Sequence, residues 1–429
     1  MRTRRHITIC AALATVVAIA VEPTIGQPLT GSPASPGLTG PAALQRVKHV
    51  FMITLENKSY DVTFGTSAQA PYLNSTLKPM GALLTNYYGT GHVSLDNYIA
   101  MISGQPASLD TQLDCPTFSN FKQTGTTGDG IAIGNGCVYP ASVKTLPDQL
   151  KAHGLTWKGY MEDMGNDPAR ESVTCGHPGL DTADATQKAQ APSAAVPLGD
   201  QYATRHNPFV YFHAIIDSPE CATNVVALDK LEADLASIAT TPNFVFITPN
   251  LCNDGHDGDG TGTPGKGCVN GEPGGLASAD KFLQTWVPKI LASPAFKQDG
   301  LLIINFDESD PASVTRSTDP TTGKTTITVT FQGEACCAQQ LGPNVTRPVT
   351  GVIPVSAMLE YKFVAEGLGG DRTGAVLISP FIKPGTVTST PYNHYALLKT
   401  LEEIFQVGGY LGYANQPGLV PFGTDIFNQ

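Results

Sequence analysis

The chain has 429 residues, a net charge of −11 and only 15% charged residues, with 44 glycines and 33 prolines. Length alone predicts two to three domains, although one elaborated α/β domain of this size is common, and the composition indicates many long loops. The acidic balance excludes nucleic acid and anionic membrane surfaces as purely electrostatic partners. An acidic protein that binds phosphate needs a metal ion, an arginine or oriented amides at one site.

The N-terminus has the organisation of a secretory signal. A basic start is followed by an apolar stretch from about Ile7 to Ala20, which ends in a small-x-small cleavage pattern. We predict a signal peptide over residues 1–20, a flexible Pro/Gly/Ser/Thr-rich leader over 21–45 and a folded domain over 46–429. Retention of the apolar stretch as an anchor is the alternative, and no later stretch is long enough to span a membrane. Loss of the signal removes three arginines and no acids, so the charge becomes −14.

Cysteine usage agrees with export. One of the nine cysteines, Cys10, would leave with the signal, and the other eight stand at positions 115, 137, 175, 221, 252, 268, 336 and 337. An even number in an exported chain indicates disulfides, but the pairing cannot be read from spacing. No pair has Cys-x-x-Cys spacing, which argues against a thiolate metal site. We therefore expect a secreted protein with oxidised cysteines.

Buried strands alternate with helices along the chain. The first, Val47–Leu55, is an apolar run typical of a parallel sheet that is covered on both faces. Further predicted strands are Leu155–Met161, Phe244–Thr248, Leu301–Phe306, Thr325–Phe331 and Ala375–Ile378. Predicted helices cover residues 94–104, 146–153, 224–238, 278–291 and 395–405. This order predicts an α/β fold with a mostly parallel sheet, helices on both faces, and loop and hairpin insertions.

Two of the strands end in acidic or amide side chains. Glu56 and Asn57 follow the first strand, and Asp307 and Glu308 follow Leu301–Phe306. In open α/β sheets ligands bind beyond the carboxyl ends of the strands, so these four side chains are candidates for chemistry. If either pair of polar residues is considered alone, its presence is explained equally well by solvation of the strand end.

Ser94 stands at the start of a predicted helix. The apolar spacing over residues 95–102 is helical, which makes Ser94 a natural N-cap and Gly104 the C-terminal stop. Capping alone could explain this serine. A helix N-terminus also gathers free amides and positive potential that suit a phosphate, so Ser94 is a candidate nucleophile.

Oxygen ligands gathered at one sheet edge predict a single divalent cation, Ca²⁺, Mg²⁺, Mn²⁺ or Zn²⁺. The predicted ligands are Glu56, Asn57, Ser94, Asp307 and Glu308. A metal that holds both a serine oxygen and a phosphoryl oxygen would lower the pKa of the serine and offset the phosphate charge. Loop histidines His256 and His394 are candidates for phosphate contact or proton transfer, and backbone carbonyls could equally satisfy them.

Five groups of residues carry extended motifs. In chain order they are Glu56–Gly65 (E-N-x-S-[FY]-D-x-x-F-G), His92–Tyr98 (compare H-P-S-L-P-N-Y), Thr248–Asp257 (T-P-N-x-C-x-D-G-H-D), Asp307–Ser309 (D-E-S), and Ser379–Gly385 with Asn393–Tyr395 (S-P-[FY]-x-K-P-G and N-H-Y). Over about residues 47–405 they resemble the phosphoesterase family that joins bacterial phospholipases C with bacterial and fungal acid phosphatases. That family belongs to the alkaline phosphatase superfamily.

The resemblance implies an alkaline-phosphatase-like fold and makes 46–429 a phosphoesterase catalytic domain. We predict that Ser94 attacks phosphorus and forms a phosphoserine, while Asn97 and first-turn amides hold the equatorial oxygens. His256 and His394 are the remaining predicted catalytic residues. His213, together with Asn97, is a predicted substrate-binding residue.

The chain departs from its relatives at four positions. Val93 and Asp96 replace prolines of the second motif, which bears on substrate range. Cys252 stands where two-zinc relatives have an aspartate, and Glu308 where they have a histidine, so the resemblance implies one metal. Cys252 would then belong to a disulfide, with Cys268 as the candidate partner.

These features predict a secreted, metal-dependent phosphoric ester hydrolase. The short second motif favours an acid phosphatase that acts on small phosphate monoesters, and a phospholipase C acting on phospholipids is the alternative within the class. A serine carboxylesterase is weaker because the chain has no G-x-S-x-G elbow. A secreted metal- or phosphate-binding protein with a dead site is the non-enzymatic alternative.

Overall fold

The computed structural model describes residues 42–66 and 68–429. The predicted signal peptide, 1–20, lies outside the described residues, as does the predicted leader up to residue 41. The end of the leader is described: Leu44–Arg46 forms a short 3₁₀ helix, and Leu44 is fully buried. Within the described part of the chain, no helix is long and apolar enough to cross a membrane.

The regular elements follow one another in the alternating order that the sequence predicts. The strands are β1 (His49–Leu55), β2 (Ala82–Leu84), β3 (Tyr87–Tyr88), β4 (Lys122–Thr126), β5 (Ala132–Asn135), β6 (Trp157–Met161), β7 (Val225–Ala227), β8 (Phe244–Thr248), β9 (Gly300–Phe306), β10 (Ser313–Thr318), β11 (Thr325–Phe331), β12 (Val349–Ser356), β13 (Leu359–Ala365), β14 (Ala375–Ile378), β15 (Thr386–Thr388) and β16 (Tyr392–Asn393). The α-helices are α1 (Tyr60–Phe64), α2 (Lys78–Met80), α3 (Ser94–Ser103), α4 (Leu146–Ala152), α5 (His213–Ile216), α6 (Glu220–Asn224), α7 (Leu231–Asp234), α8 (Gly275–Ala292), α9 (Pro294–Asp299) and α10 (His394–Phe405).

An eight-stranded sheet in the order β15-β2-β14-β9-β1-β8-β6-β7 forms the centre of the fold. Its pairings are parallel except where β14 meets β9 and β2, so β14 is the one antiparallel strand of this sheet among the described residues. The predicted α/β fold with a mostly parallel sheet is confirmed. The strong apolar runs β1, β8 and β9 lie side by side at its middle, where both faces are covered.

Two hydrophobic cores lie on opposite faces of this sheet. Because successive side chains of a strand alternate, Val50 and Met52 of β1 face the core with α3, α4 and α10. Phe51 and Ile53 face the core with α7, α8 and α9. Full burial of each such side chain contributes about 1.5–3 kcal/mol, so the middle strands are held firmly and their ends are fixed in position.

Two parts of the chain depart from the predicted pattern. The helix predicted over residues 224–238 is wrong in its first part: Val225–Ala227 is strand β7, which pairs with β6, and β-branched valines favour this extended edge. The hairpin strand at Thr325–Phe331 is confirmed as β11. It belongs to a second sheet, in the order β10-β11-β13-β12, that spans residues 313–365.

The eight cysteines of the folded domain form four disulfides. They are Cys115–Cys137, Cys175–Cys221, Cys252–Cys268 and Cys336–Cys337. The pair that includes Cys252 is the one expected from the resemblance, and it ties the loop after β8 to the turn before α8.

Candidate active site

Strand register brings the polar strand ends together. Leu55 of β1 is paired with Phe306 of β9, so Glu56 and Asp307 leave neighbouring strands at the same level. On the other side of β1, the loop after β8 returns to it, and the Glu56 amide donates to the Asp254 carbonyl at 2.8 Å. Three buried carboxylates therefore meet at one edge of the sheet.

Ser94 contacts this cluster directly. Its Oγ donates to Glu56 Oε2 at 2.8 Å, and the serine is 3% exposed. The predicted N-cap role is wrong, because Val93 occupies the cap position and Ser94 is the first helical residue. Asp114 Oδ1 instead accepts the Leu95 amide at 3.0 Å. The hydroxyl of Ser94 is thus directed at Glu56 rather than at its own helix.

Strained backbone presents this serine. Val93 has φ 86°, a conformation that β-branched residues avoid and that costs on the order of 1–3 kcal/mol. Glu308 Oε1 accepts the Val93 amide at 3.0 Å. The Asn97 side chain donates to the Val93 carbonyl at 3.4 Å and accepts the amides of Thr90 and Gly91 at 2.7 and 3.1 Å. The hydrogen bonds of Asn97 are therefore used inside the loop, which gives this residue a positioning role.

Glu308 belongs to the same supporting network. Its Oε2 contacts His92 Nδ1, and His92 Nε2 lies 2.9 Å from Asp371 Oδ2. Burial alone would lower the pKa of His92, but Glu308 and Asp371 outweigh it and raise the pKa to about 9. Both oxygens of Glu308 are thus engaged by the His92 ring and the Val93 amide. Glu308 also lines the cleft that contains Ser94, and its predicted role as a metal ligand stays a prediction.

The group that could hold a metal ion consists of Glu56, His206 and Asp254. One ligand atom of each lies within 4.8 Å of the others, and all three residues are buried. Among the described residues, Glu56 Oε1, Asp254 Oδ2, Asp307 Oδ2 and both His206 nitrogens lack a hydrogen-bond partner. Buried polar atoms are normally paired, so the unpaired atoms of Glu56, Asp254 and His206, which lie together, fit a cation-binding group.

The electrostatics of the cluster agree with this fit. Burial, and then the charge of the neighbouring acid, raises the pKa of Glu56, Asp254 and Asp307 well above the usual carboxyl range. Burial, and then Arg205, lowers the pKa of His206 well below its usual value, so the ring is neutral and able to ligate. Crowded carboxylates without a cation repel one another, and a divalent cation would remove that repulsion.

Most of the predicted metal ligands lie together. The Asn57 amide donates to Asp307 Oδ1 at 3.0 Å, and its side chain donates to Glu56 Oε2 at 3.3 Å. Sequence reasoning did not include His206 and Asp254 in the candidate metal site. Asp254 could have been found, because it stands inside the third motif two residues before His256. His206 carried no signal beyond its place at the end of an aromatic run.

The three predicted histidines have different surroundings. His256 lines a cleft of about 280 Å³ together with Ser94, and its Nδ1 is 2.8 Å from Asp257 Oδ1. His394 is fully buried, and its nitrogens contact the Tyr87 hydroxyl at 2.8 Å and the Asp307 carbonyl at 2.6 Å.

Burial lowers the pKa of His394 to about 4, which leaves this ring neutral. The two contacts of His394 make it a support for the Asp307 backbone. His213 contacts Asn120 and Asp217 at 2.8 and 2.9 Å, and neither partner belongs to the cluster. Of the three histidines, His256 is therefore the one that the structure places in the cleft with Ser94.

Comparison with known proteins identifies the family. A model of the phosphoesterase family matches residues 68–408, most of the chain, so the chain belongs to this family. The curated relatives that the chain matches are named phosphatases. The family match covers β2 to α10 and therefore includes Ser94, the loop after β8 and the acids after β9.

The curated relatives are distant but consistent. A probable acid phosphatase of Kluyveromyces lactis is 25% identical over 61% of this chain and 48% of its own length. An acid phosphatase of Aspergillus fumigatus is 24% identical over 60% of this chain and 44% of its own length. A phosphatidylinositol-3-phosphatase of Mycobacterium tuberculosis is 24% identical over 63% of this chain and 67% of its own length. The chain thus spans about half the length of the two fungal relatives.

A solved structure from Vibrio parahaemolyticus, described as a protein in the alkaline phosphatase superfamily, aligns with a TM-score of 0.43. It is 14% identical, and the alignment covers 87% of this chain and 68% of that chain.

Proposed function

We propose that this protein is an exported, metal-dependent phosphomonoesterase of the acid phosphatase type, with Ser94 as its nucleophile. The observation that carries the proposal is the 2.8 Å contact of Ser94 Oγ with Glu56 Oε2 at the mouth of a buried acidic cluster. The relatives described above are named phosphatases, which favours monoesters over the phospholipase C alternative. Four disulfides support export.

The residues that would hold one divalent cation are Glu56, His206, Asp254 and Asp307, with Ser94 beside them. A cation there would offset the phosphate charge and favour ionisation of the serine. Carboxylate oxygens and one neutral imidazole are compatible with Zn²⁺, Mn²⁺ or Mg²⁺.

The protein's own groups account for the steps. Ser94 Oγ gives up its proton towards Glu56 Oε2 and attacks phosphorus, and the bond from phosphorus to the leaving oxygen breaks in line. His256, whose Nδ1 is held by Asp257, protonates the leaving oxygen through Nε2. First-turn amides of α3 other than that of Leu95, which Asp114 accepts, would donate to the phosphoryl oxygens. In the second step His256 takes a proton from the water that attacks the phosphoserine. The bond from phosphorus to Ser94 Oγ breaks, Glu56 returns its proton to Ser94 Oγ, and phosphate is released.

Hydrolysis of 4-nitrophenyl phosphate with and without a chelator tests the proposal. We expect activity that chelation abolishes, that added metal restores, and that Ser94→Ala nearly eliminates. Ser103→Ala is the matched control, because Ser103 lies at the other end of the same helix and donates to the Ile99 carbonyl. Activity that persists in chelator would support an esterase-like reaction, and absence of activity with every metal would support a non-catalytic binding protein.

A further inference from the structure

The cleft over Ser94 has a wall that comes from the second sheet. Val329 and Phe331 of β11 and Tyr361 and Phe363 of β13 line the same cleft as Ser94 and His256. Its remaining lining residues are Asn57, Val93, Asp114, Glu308 and Lys362. β11 and β13 are parallel neighbours in which Val329 is paired with Phe363. Because alternate residues of paired strands share a face, these four side chains form one apolar surface, which we call the aromatic wall.

The aromatic wall is held in a fixed relation to the nucleophile. The Phe331 ring centroid lies 4.2 Å from that of His92, and Phe363 lies 5.3 Å from Phe331. His92 contacts Glu308, which accepts the amide of Val93 immediately before Ser94. Packing and hydrogen bonds therefore connect the wall to the serine loop without a break.

We propose that the aromatic wall is the leaving-group subsite and that it selects phosphate monoesters whose alcohol carries an aromatic ring. The proposal rests on the proposed function, because a monoester with its phosphorus at Ser94 must place its leaving group in the same cleft. Three of the four wall side chains have no hydrogen-bonding group, so the hydroxyl groups of an alcohol that lay against the wall would lose water without compensation from it. A ring can stack on Phe363 and on Tyr361, which is 41% exposed.

The size of the cleft limits the occupant. Its volume of about 280 Å³ is close to the lower end of small-molecule sites and is enough for a phosphate with one ring. The selected substrates are therefore small aryl or arylalkyl phosphates.

The test compares kcat/KM for 2-phenylethyl phosphate and ethyl phosphate, two monoesters whose leaving alcohols have similar reactivity. We expect wild type to prefer the phenylethyl ester, and Phe363→Ala to reduce that preference roughly 10-fold or more, as loss of apolar contact in a pocket does. Tyr361→Ser should reduce it in the same direction, and this exposed position avoids a folding defect. Val352→Ala is the matched control, because Val352 is paired with Lys362 and therefore lies on the opposite face of the sheet.

The outcomes separate the two proposals. In one outcome, wild type hydrolyses both esters, and Phe363→Ala and Tyr361→Ser keep the preference for the phenylethyl ester. In that case the proposed leaving-group subsite is wrong and the proposed phosphatase function is retained. If Val352→Ala changes the preference as much as Phe363→Ala, the effect comes from the sheet as a whole and the subsite is again wrong. If wild type hydrolyses neither ester with any metal, the proposed function fails first.

Discussion

Asp254→Asn distinguishes a cation site from an ordinary buried carboxylate. Asp254 Oδ1 accepts the His256 amide at 2.7 Å, and the asparagine oxygen keeps that bond. Only Oδ2 changes, an atom 3.3 Å from His206 Nδ1 that has no hydrogen bond within residues 42–66 and 68–429. Without a cation the substitution removes one of three crowded carboxyl groups, and the new amide can donate to neutral His206. We therefore expect the variant to be more stable than wild type in chelator, and to gain less stability than wild type when metal is added.

The magnitudes make both differences measurable. An unsatisfied buried group costs about 1–3 kcal/mol, so the free energy of unfolding in chelator should rise by about that amount. A cation at 100 times its Kd stabilises wild type by about 2.7 kcal/mol. Loss of one ligand should weaken binding at least 10-fold, which removes about 1.4 kcal/mol or more of that gain.

Urea unfolding in chelator, and with added Ca²⁺, Mg²⁺, Mn²⁺ or Zn²⁺, measures the free energy of unfolding without and with metal. Asp280→Asn is the matched control, because both Asp280 oxygens accept backbone amides, those of Tyr72 and Leu73 at 3.0 and 2.8 Å. It should lose stability equally in the two conditions. An Asp254→Asn variant that is less stable than wild type in chelator and responds normally to metal would refute the cation site.

Three further predictions follow from particular groups. His256→Ala should lower kcat by about 10²–10⁴ for ethyl phosphate and far less for 4-nitrophenyl phosphate, whose leaving group needs no proton; equal losses would remove His256 as general acid. Burial, and then Asp163, raises the pKa of Glu162 to about 7. Ionised Glu162 therefore lowers the free energy of unfolding, and this loss grows as pH rises from the pKa that Glu162 has in the unfolded chain through about 7. After a discount for the partial exposure of Glu162, Glu162→Gln should raise the free energy of unfolding in urea by about 1–2 kcal/mol at pH 8 and by almost nothing at pH 5. A gain that is equal at both pH values would contradict this. Thiol titration of the unfolded, unreduced protein should find almost no free cysteine, and more than two thiols would contradict the export argument.

The sheet and part of the site could be predicted because they depend on local patterns. The apolar runs of β1 and β9 specify buried strands, and parallel strands end at a common edge, so Glu56 and Asp307 were placed correctly side by side. The start of α3 was also readable, because the apolar spacing after Ser94 is helical and Gly104 closes the helix in the left-handed conformation at φ 66°.

The remaining features depend on contacts between distant residues. His206 lies 150 positions from Glu56 in the sequence, and no spacing rule brings the two together. The cap position of Val93 follows from its φ of 86°, which Glu308 and Asn97 impose from outside the local sequence. Sequence likewise gave no indication that Glu308 contacts His92 and the Val93 amide.

The identity of the nucleophile is tested most directly by trapping the covalent intermediate. Metal-loaded protein is mixed with ³²P-labelled 4-nitrophenyl phosphate and quenched in acid within milliseconds, and the labelled residue is then identified in proteolytic peptides. We predict acid-stable label on Ser94 in wild type and none in Ser94→Ala, while Ser103→Ala labels normally. Turnover by wild type without label on Ser94, or turnover of more than a few per cent by Ser94→Ala, would show that water attacks phosphorus directly and would contradict the mechanism.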